Sequence, residues 1–180
     1  MIKKHKTCGE CTVCCSALLI DTPNFKKPAD IKCIHVKDKG GCSIYEKRPE
    51  VCRSWECGWL ALSKLRNSLR PDKSNLLIRL EEGGSITLQP IGNAIRYLTN
   101  TDALEVIATW INYDAQVAIS VPTKTGHAYA NHVLNQTINK HDIATEALLK
   151  TKVIAAIISA SSAQTDLIDI KFLEQNSTVE

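Results

Sequence analysis

From residue 59 onward the apolar positions fall into recognisable periods. Trp59, Leu62, Leu65 and Leu69 recur at helical spacing and stop before Pro71, which predicts a helix that ends there. Two strand-like runs, 76–81 and 85–89, flank the pair Gly83-Gly84. Two glycines between such runs predict a β-hairpin. Asn100 or Thr101 can cap a helix over 102–113, with Leu104, Ile107 and Ile111 on one face. The run 117–122 reads as a third strand, and Asp142 can cap a long helix reaching residue 159. The stretch 167–172 fits two descriptions: alternating Ile168, Ile170 and Phe172 favour a strand, and a helical turn is also open.

Before residue 58 no such period exists. Pro23, Pro28, Gly40, Gly41 and Pro49 punctuate the segment, as in loops and short turns. Pro49 suits the first position of a short helix running through Cys52. Cys57 falls at or just before the first turn of the helix that follows. Composition changes at the same place: all eight cysteines lie between Cys8 and Cys57, and none follows. The expected fold class is therefore α+β. A cysteine-rich, metal-organised N-terminal half with few regular elements (1–73) is joined to a small antiparallel sheet packed with helices (74–180), the two packed as one unit. We find no internal repeat and no low-complexity segment.

The 180 residues suffice for one domain with a core of its own. Apolar residues make up 44% and charged residues 23%, an ordinary globular balance. The longest apolar runs, 17–20 and 153–158, fall far short of the ~20 residues a membrane-spanning helix needs. Lys3, Lys4 and Lys6 are followed by 7–15, not by an apolar stretch, so no export signal is expected. The expected compartment is then the reducing cytosol, where cysteines serve as ligands or catalysts more often than as disulfides.

The net charge of +3 conceals an asymmetry. Residues 1–73 hold 15 Lys+Arg against 8 Asp+Glu, and residues 74–180 hold 7 against 11, giving +7 and −4. Metal-bound cysteine is a thiolate, so eight ligands with two Zn²⁺ ions would leave a charge of −4 for the basic half to offset. A basic surface for nucleic acid or membrane is the competing explanation. It lacks an arginine-rich run or an aromatic platform, and neither partner is expected.

The array runs Cys8-x2-Cys11-x2-Cys14-Cys15, then Cys33, Cys42, Cys52 and Cys57. Soft thiolates select zinc, iron–sulfur clusters or Cu(I). Two C-x2-C steps in a row can place three sulfurs around one centre, and both ferredoxin-type clusters and structural zinc sites use such spacing. Adjacent Cys14 and Cys15 imply two centres close together, or one polynuclear centre. Eight thiolates divide naturally into two sets of four. The sequence does not assign the sets; one division places Cys8, Cys11, Cys14 or Cys15 with partners from Cys33, Cys42, Cys52 and Cys57. Arg48 and Arg53 flank Cys52. They can donate hydrogen bonds to thiolate sulfurs, bind an anion, or pair with Glu46, Glu50 or Glu56, and the first role is the one expected. Tyr45 and Trp55 are expected to pack against the site.

The run Cys8-Gly9-Glu10-Cys11-Thr12-Val13-Cys14-Cys15 resembles the signature of the CxxCxxCC family of zinc- or iron-chelating domains. Cys42-Ser43-Ile44-Tyr45-Glu46-Lys47-Arg48-Pro49-Glu50-Val51-Cys52-Arg53 is similar to that family's C-x-I-Y-E-x-R-P-x-x-C-R segment, and Cys57 to its last cysteine. Cys57-Gly58-Trp59-Leu60 and Arg70-Pro71-Asp72 also look like longer members, so the likeness spans residues 8–72. It implies a metal-binding protein. A flagellin lysine N-methylase carries a similar signature, which implies Fe–S chemistry with S-adenosylmethionine. Three functions follow. The first is a cysteine-ligated metal-binding protein, Fe–S or zinc. The second is a cluster-dependent redox or S-adenosylmethionine-linked group-transfer enzyme. The third is a zinc-stabilised interaction module.

Other signals are weaker. His5 and His35 lie near the cysteines but eight sulfurs already suffice. His127 and His132 do not have zincin spacing, and His141 stands alone. Lys124-Thr125-Gly126 has no S-x-x-K to accompany it.

Overall fold

The structure, a computed structural model, describes residues 6–125 and 127–168. Among these lie seven α-helices and two sheets, one of two strands and one of four. The α+β class stands.

The larger sheet holds β3 (Leu76–Leu80), β4 (Ile86–Pro90), β5 (Val117–Val121) and β6 (Ala130–Val133), in that spatial order. β3 and β4 form the expected hairpin, with Ile78 opposite Leu88 and Leu80 opposite Ile86. Both Gly83 and Gly84 take positive φ in the connection, where a side chain would be strained. β4 then pairs with β5 in parallel, Ile86 opposite Val117, and β5 with β6 antiparallel, Val121 opposite Ala130. The sheet is therefore mixed, not antiparallel throughout. A parallel neighbour requires a crossover, and α5 (Ala94–Leu98) and α6 (Thr101–Asn112) supply it.

Every residue of β4 is buried, as befits a central strand covered on both faces. α6 buries Ala103, Leu104, Val106, Ile107 and Ile111. Asn100 is its cap: the side-chain oxygen accepts from the Ala103 N–H at 2.9 Å. The last helix, α7 (Glu146–Ser161), starts later than Asp142 and is capped by Thr145 Oγ1, which accepts from Leu148 N–H at 3.3 Å. Asp142 is buried in a preceding 3₁₀ turn, where it accepts from the Asn139 N–H and pairs with Lys152. Leu167 makes only a single bridge with His127; residues 169–172 of the ambiguous stretch lie outside the described residues.

The N-terminal half is assembled from short pieces. They are α1 (Val13–Ala17), the hairpin β1 (Ile20–Thr22) with β2 (Phe25–Lys27), α2 (Glu50–Ser54), α3 (Gly58–Ala61) and α4 (Pro71–Ser74). Pro49 is the N-cap of α2, and Cys57 the N-cap of α3. The long helix expected through Leu69 stops at Ala61. Around its end the Lys6 ammonium donates to the carbonyls of Trp59, Leu62 and Leu65 at 2.9, 2.7 and 2.8 Å. In a continuous helix those carbonyls would accept from N–H groups four residues ahead. Here they share one cation instead, and the Leu62 carbonyl also accepts from the Leu65 N–H at 3.1 Å. Trp59 and Leu69 still reach the core, 6% and 3% exposed.

The halves meet at defined contacts. Gly58 packs on Ile78 of β3, and Tyr129 Oη donates to Asp30 at 2.8 Å. No helix among the described residues is long and apolar enough to cross a membrane.

Candidate metal centre

Cys14 and Cys15 sit in α1, where successive side chains diverge by roughly 100° about the axis. Each can therefore serve a different side of the turn. Their sulfurs are 4.0 Å apart. The C-terminal end of that turn is tied to the next cysteine loop: the Cys33 N–H donates to the Cys15 carbonyl at 3.0 Å. Val36 and Cys42 form an antiparallel bridge, which folds the Cys42 loop back beside Cys33. Gly40 brings this loop to the first one. A Cβ there would lie 2.7 Å from the Glu10 carbonyl oxygen, and φ is +88°. The adjacent Gly41 N–H donates to the same oxygen.

The first cysteine loop meets the segment that follows Cys57. The Cys11 N–H donates to the Cys8 carbonyl at 3.0 Å, closing the first C-x2-C turn. Arg70 Nη2 donates to that same carbonyl at 3.0 Å, and its guanidinium stands over the Trp59 ring beside Lys6. Lys6 and Arg70 thus pin the Cys8 loop to the start of α3, where Cys57 is the cap.

All eight cysteines are free and half-buried. Burial pushes the Cys8 and Cys57 thiols up; among the sulfurs, Cys11 and Cys15 raise Cys8, and Cys8 and Cys11 both raise Cys57. Cys14 is raised first by its hydrogen bond to Cys15, then by burial, with Cys8 and Cys11 adding to it. Burial also raises Cys33 and Cys52; Cys15 and Cys42 act on Cys33, and Cys15, Cys33 and Cys42 on Cys52. Cys11, Cys14 and Cys57 thus lie in the electrostatic surroundings of Cys8, and Cys33 and Cys52, each acted on by Cys42, in those of Cys15, with Cys15 acting on Cys8 as well. The contact between Cys14 and Cys15 lowers Cys15 to about 7.

Three cations serve these neighbourhoods. Lys27 is 4% exposed, and its ammonium donates to the carbonyls of Ser16, Pro28 and Ile31 at 3.0, 2.7 and 2.9 Å. Its charge favours the thiolates of Cys15 and Cys33. Lys6 is the corresponding cation near Cys57. The charge of Arg48 favours the thiolates of Cys8, Cys15 and Cys52. Sequence reasoning did not single out Lys6 or Lys27 as site residues, because nothing in the spacing of a lone lysine marks it.

The remaining expected residues fall as follows. Arg53 is exposed and pairs with Glu50 through Nε and Nη2, the surface alternative of the two readings. Tyr45 is exposed and stacks under Arg48. Trp55 is half-buried. His35 stacks on Phe25, and His127 Nδ1 contacts the Thr165 carbonyl. His5 lies outside the described residues.

Among the described residues, no three His, Cys, Asp or Glu side chains converge as a ready metal-binding group. The two quartets are neighbourhoods, not closed shells. Two features nevertheless fit a metal. The donor set is all thiol, and Arg48 Nε is a buried donor with no acceptor among the described residues. An open groove of about 550 Å³ between the 61–66 segment and α6, lined by Leu62, Arg66, Glu105 and Trp110 among others, contains no cysteine and is separate from this site.

The class of protein defined here is an α+β chain with a clustered thiol site. No family model, curated protein or solved structure matches it.

Proposed function

We propose that this chain is a cysteine-ligated metal-binding protein with two four-thiolate centres. Cys8, Cys11, Cys14 and Cys57 form one, and Cys15, Cys33, Cys42 and Cys52 the other. The observation that supports the reading is eight free, half-buried thiols between Cys8 and Cys57, with the sulfurs of the adjacent Cys14 and Cys15 4.0 Å apart. The likeness of residues 8–72 to the CxxCxxCC family agrees with it. Soft thiolates suit zinc or an iron–sulfur cluster. A metal would displace the thiol protons and draw each quartet inward, so binding energy becomes folding energy for the N-terminal half. The core sheet, with its own buried cluster, does not depend on the metal.

The test is anaerobic purification followed by metal analysis and a visible spectrum. The expected result is two zinc ions per chain without colour, or about four to eight iron atoms with acid-labile sulfide and absorbance near ~400 nm. Cys57→Ser and Cys33→Ser should each lose one centre and keep the other. A wild-type protein free of bound metal after anaerobic reconstitution, or a Cys52→Ala variant with full metal content, would sink the reading.

A further inference from the structure

Six polar or charged side chains are buried among the described residues: Lys27, Thr87, Gln89, Thr99, Ser120 and Asp142. Three of them are satisfied. Lys27 donates to three carbonyls, Thr99 Oγ1 donates to the Ile95 carbonyl at 2.6 Å, and Asp142 accepts from the Asn139 N–H. The other three, Thr87, Gln89 and Ser120, are 6%, 5% and 3% exposed, and their side chains have no hydrogen-bond partner among the described residues. Native structures rarely keep such groups unless water, an ion or a ligand completes them. All three lie on one face of the larger sheet. Successive residues of a strand alternate between faces, and Ile78, Leu88 and Ile119 turn into the hydrophobic core. Arg79, Thr87, Gln89 and Ser120 therefore turn the other way. The register makes them neighbours: Thr87 stands opposite Arg79 of β3 and beside Ala118 of β5, and Gln89 and Ser120, each two residues further on, return to the same face.

Arg79 supplies the charge. Its Nε is buried without a hydrogen-bond acceptor, and the half-exposed Glu81 carboxylate stands 3.5 Å from that atom. The polar ends of Thr87, Gln89 and Ser120 are not fully enclosed, so each keeps an opening to solvent. The cysteine-bearing half meets the sheet at β3, where Gly58 packs on Ile78, and next to β6, where Tyr129 donates to Asp30. The polar face lies between these contacts in strand order, and junctions between packed units are where ligand sites gather. We propose that Arg79, Thr87, Gln89 and Ser120 form a binding site for a small oxyanion, the carboxylate or phosphate group of a ligand. The donors set the chemistry. A guanidinium only donates, and its fork matches the paired oxygens of a carboxylate or phosphate. Each hydroxyl adds one donor and the amide two, whereas a metal cation would be repelled by Arg79. The inference does not depend on the metal-binding reading.

The experiment is an NMR titration of the full, isotope-labelled chain with sodium phosphate and, separately, with sodium acetate, at an ionic strength held constant with sodium chloride. The Gln89 side-chain amide and the Ser120 N–H should shift and saturate with phosphate, with acetate or with both, and the anion that saturates identifies the group the site takes. Arg79→Gln should weaken that binding by more than about 10-fold, the effect of losing a charge-assisted hydrogen bond. Ser120→Ala should weaken it by a smaller factor. Arg96→Gln removes an exposed arginine of α5 and should bind as the wild type does. Saturation with neither anion overturns the proposal, as does unchanged binding in Arg79→Gln or an equal loss in Arg96→Gln. If Arg79→Gln does not fold, Thr87→Val carries the test, since it keeps the shape and removes only the hydroxyl. Weaker binding in that variant supports the site, and unchanged binding overturns it.

Discussion

Gly58 couples the cysteine-bearing half to the sheet, and its replacement tests that coupling. It is the first residue of α3, directly after Cys57, and it is buried. A Cβ added there would lie 2.7 Å from Ile78 Cγ2, 3.1 Å from Ile78 Cβ and 3.2 Å from the Ile78 carbonyl oxygen. Ile78 is 1% exposed and sits mid-strand opposite Leu88, so neither its side chain nor its backbone can withdraw freely. Overpacking of this kind costs about 1–3 kcal/mol. Alanine gains at most ~1 kcal/mol over glycine in a helix interior, less at the first position, so the clash wins. For a chain of this size each kcal/mol lowers Tm by roughly 2–4 °C. Gly58→Ala should therefore melt about 2–12 °C lower by circular dichroism. Ile78→Ala alone should cost about 2–5 kcal/mol, but the double variant should be less destabilised than the sum by about 0.5–3 kcal/mol, since the added methyl occupies vacated space. An unchanged or raised melting temperature for Gly58→Ala, or full additivity of the pair, would refute the argument.

Other outcomes are expected on the same grounds. In metal-free protein at pH 7–8, Cys15 should be alkylated by iodoacetamide ahead of Cys8, Cys14, Cys33, Cys52 and Cys57, because its thiol is lowered to about 7 by the hydrogen bond from Cys14 while theirs are raised. The stability this lowered thiol contributes is present above the ordinary thiol range and is lost as pH falls through about 7. Cys14→Ala should move the midpoint of the Cys15 rate profile upward, and an unmoved midpoint counts against the hydrogen bond. Asn100→Ala removes the oxygen that accepts from Ala103 N–H and should cost about 1 kcal/mol in urea unfolding; no loss would mean the cap is dispensable. Lys27→Met keeps the apolar stem but strips the ammonium from three carbonyls. It should destabilise the chain by on the order of 3 kcal/mol, and an equal unfolding midpoint would contradict that role.

What could be read in the sequence, and what could not, follows from the range of the interactions. The β3–β4 hairpin was legible because its determinant, Gly83-Gly84, is local, as is Asn100 at the start of α6. The parallel pairing of β4 with β5 was not, since it depends on where α5 and α6 return the chain. β6 was missed because Ala130-Asn131-His132-Val133 is short and half polar. Trp59, Leu62, Leu65 and Leu69 have helical spacing, yet the carbonyls of the first three accept from Lys6, 53 residues before Trp59. No window around residue 59 contains that lysine. The cysteine array shows the same limit. That eight cysteines lie within one short stretch is local information, whereas how their loops meet is set by contacts distant in sequence. Lys6 and Arg70 hold the Cys8 loop to the segment after Cys57, and one main-chain hydrogen bond holds Cys33 to Cys15. A single substitution at Lys6 should therefore disturb the 59–69 segment and the Cys57 group together, while leaving the Cys33 loop, which is held by Lys27, in place.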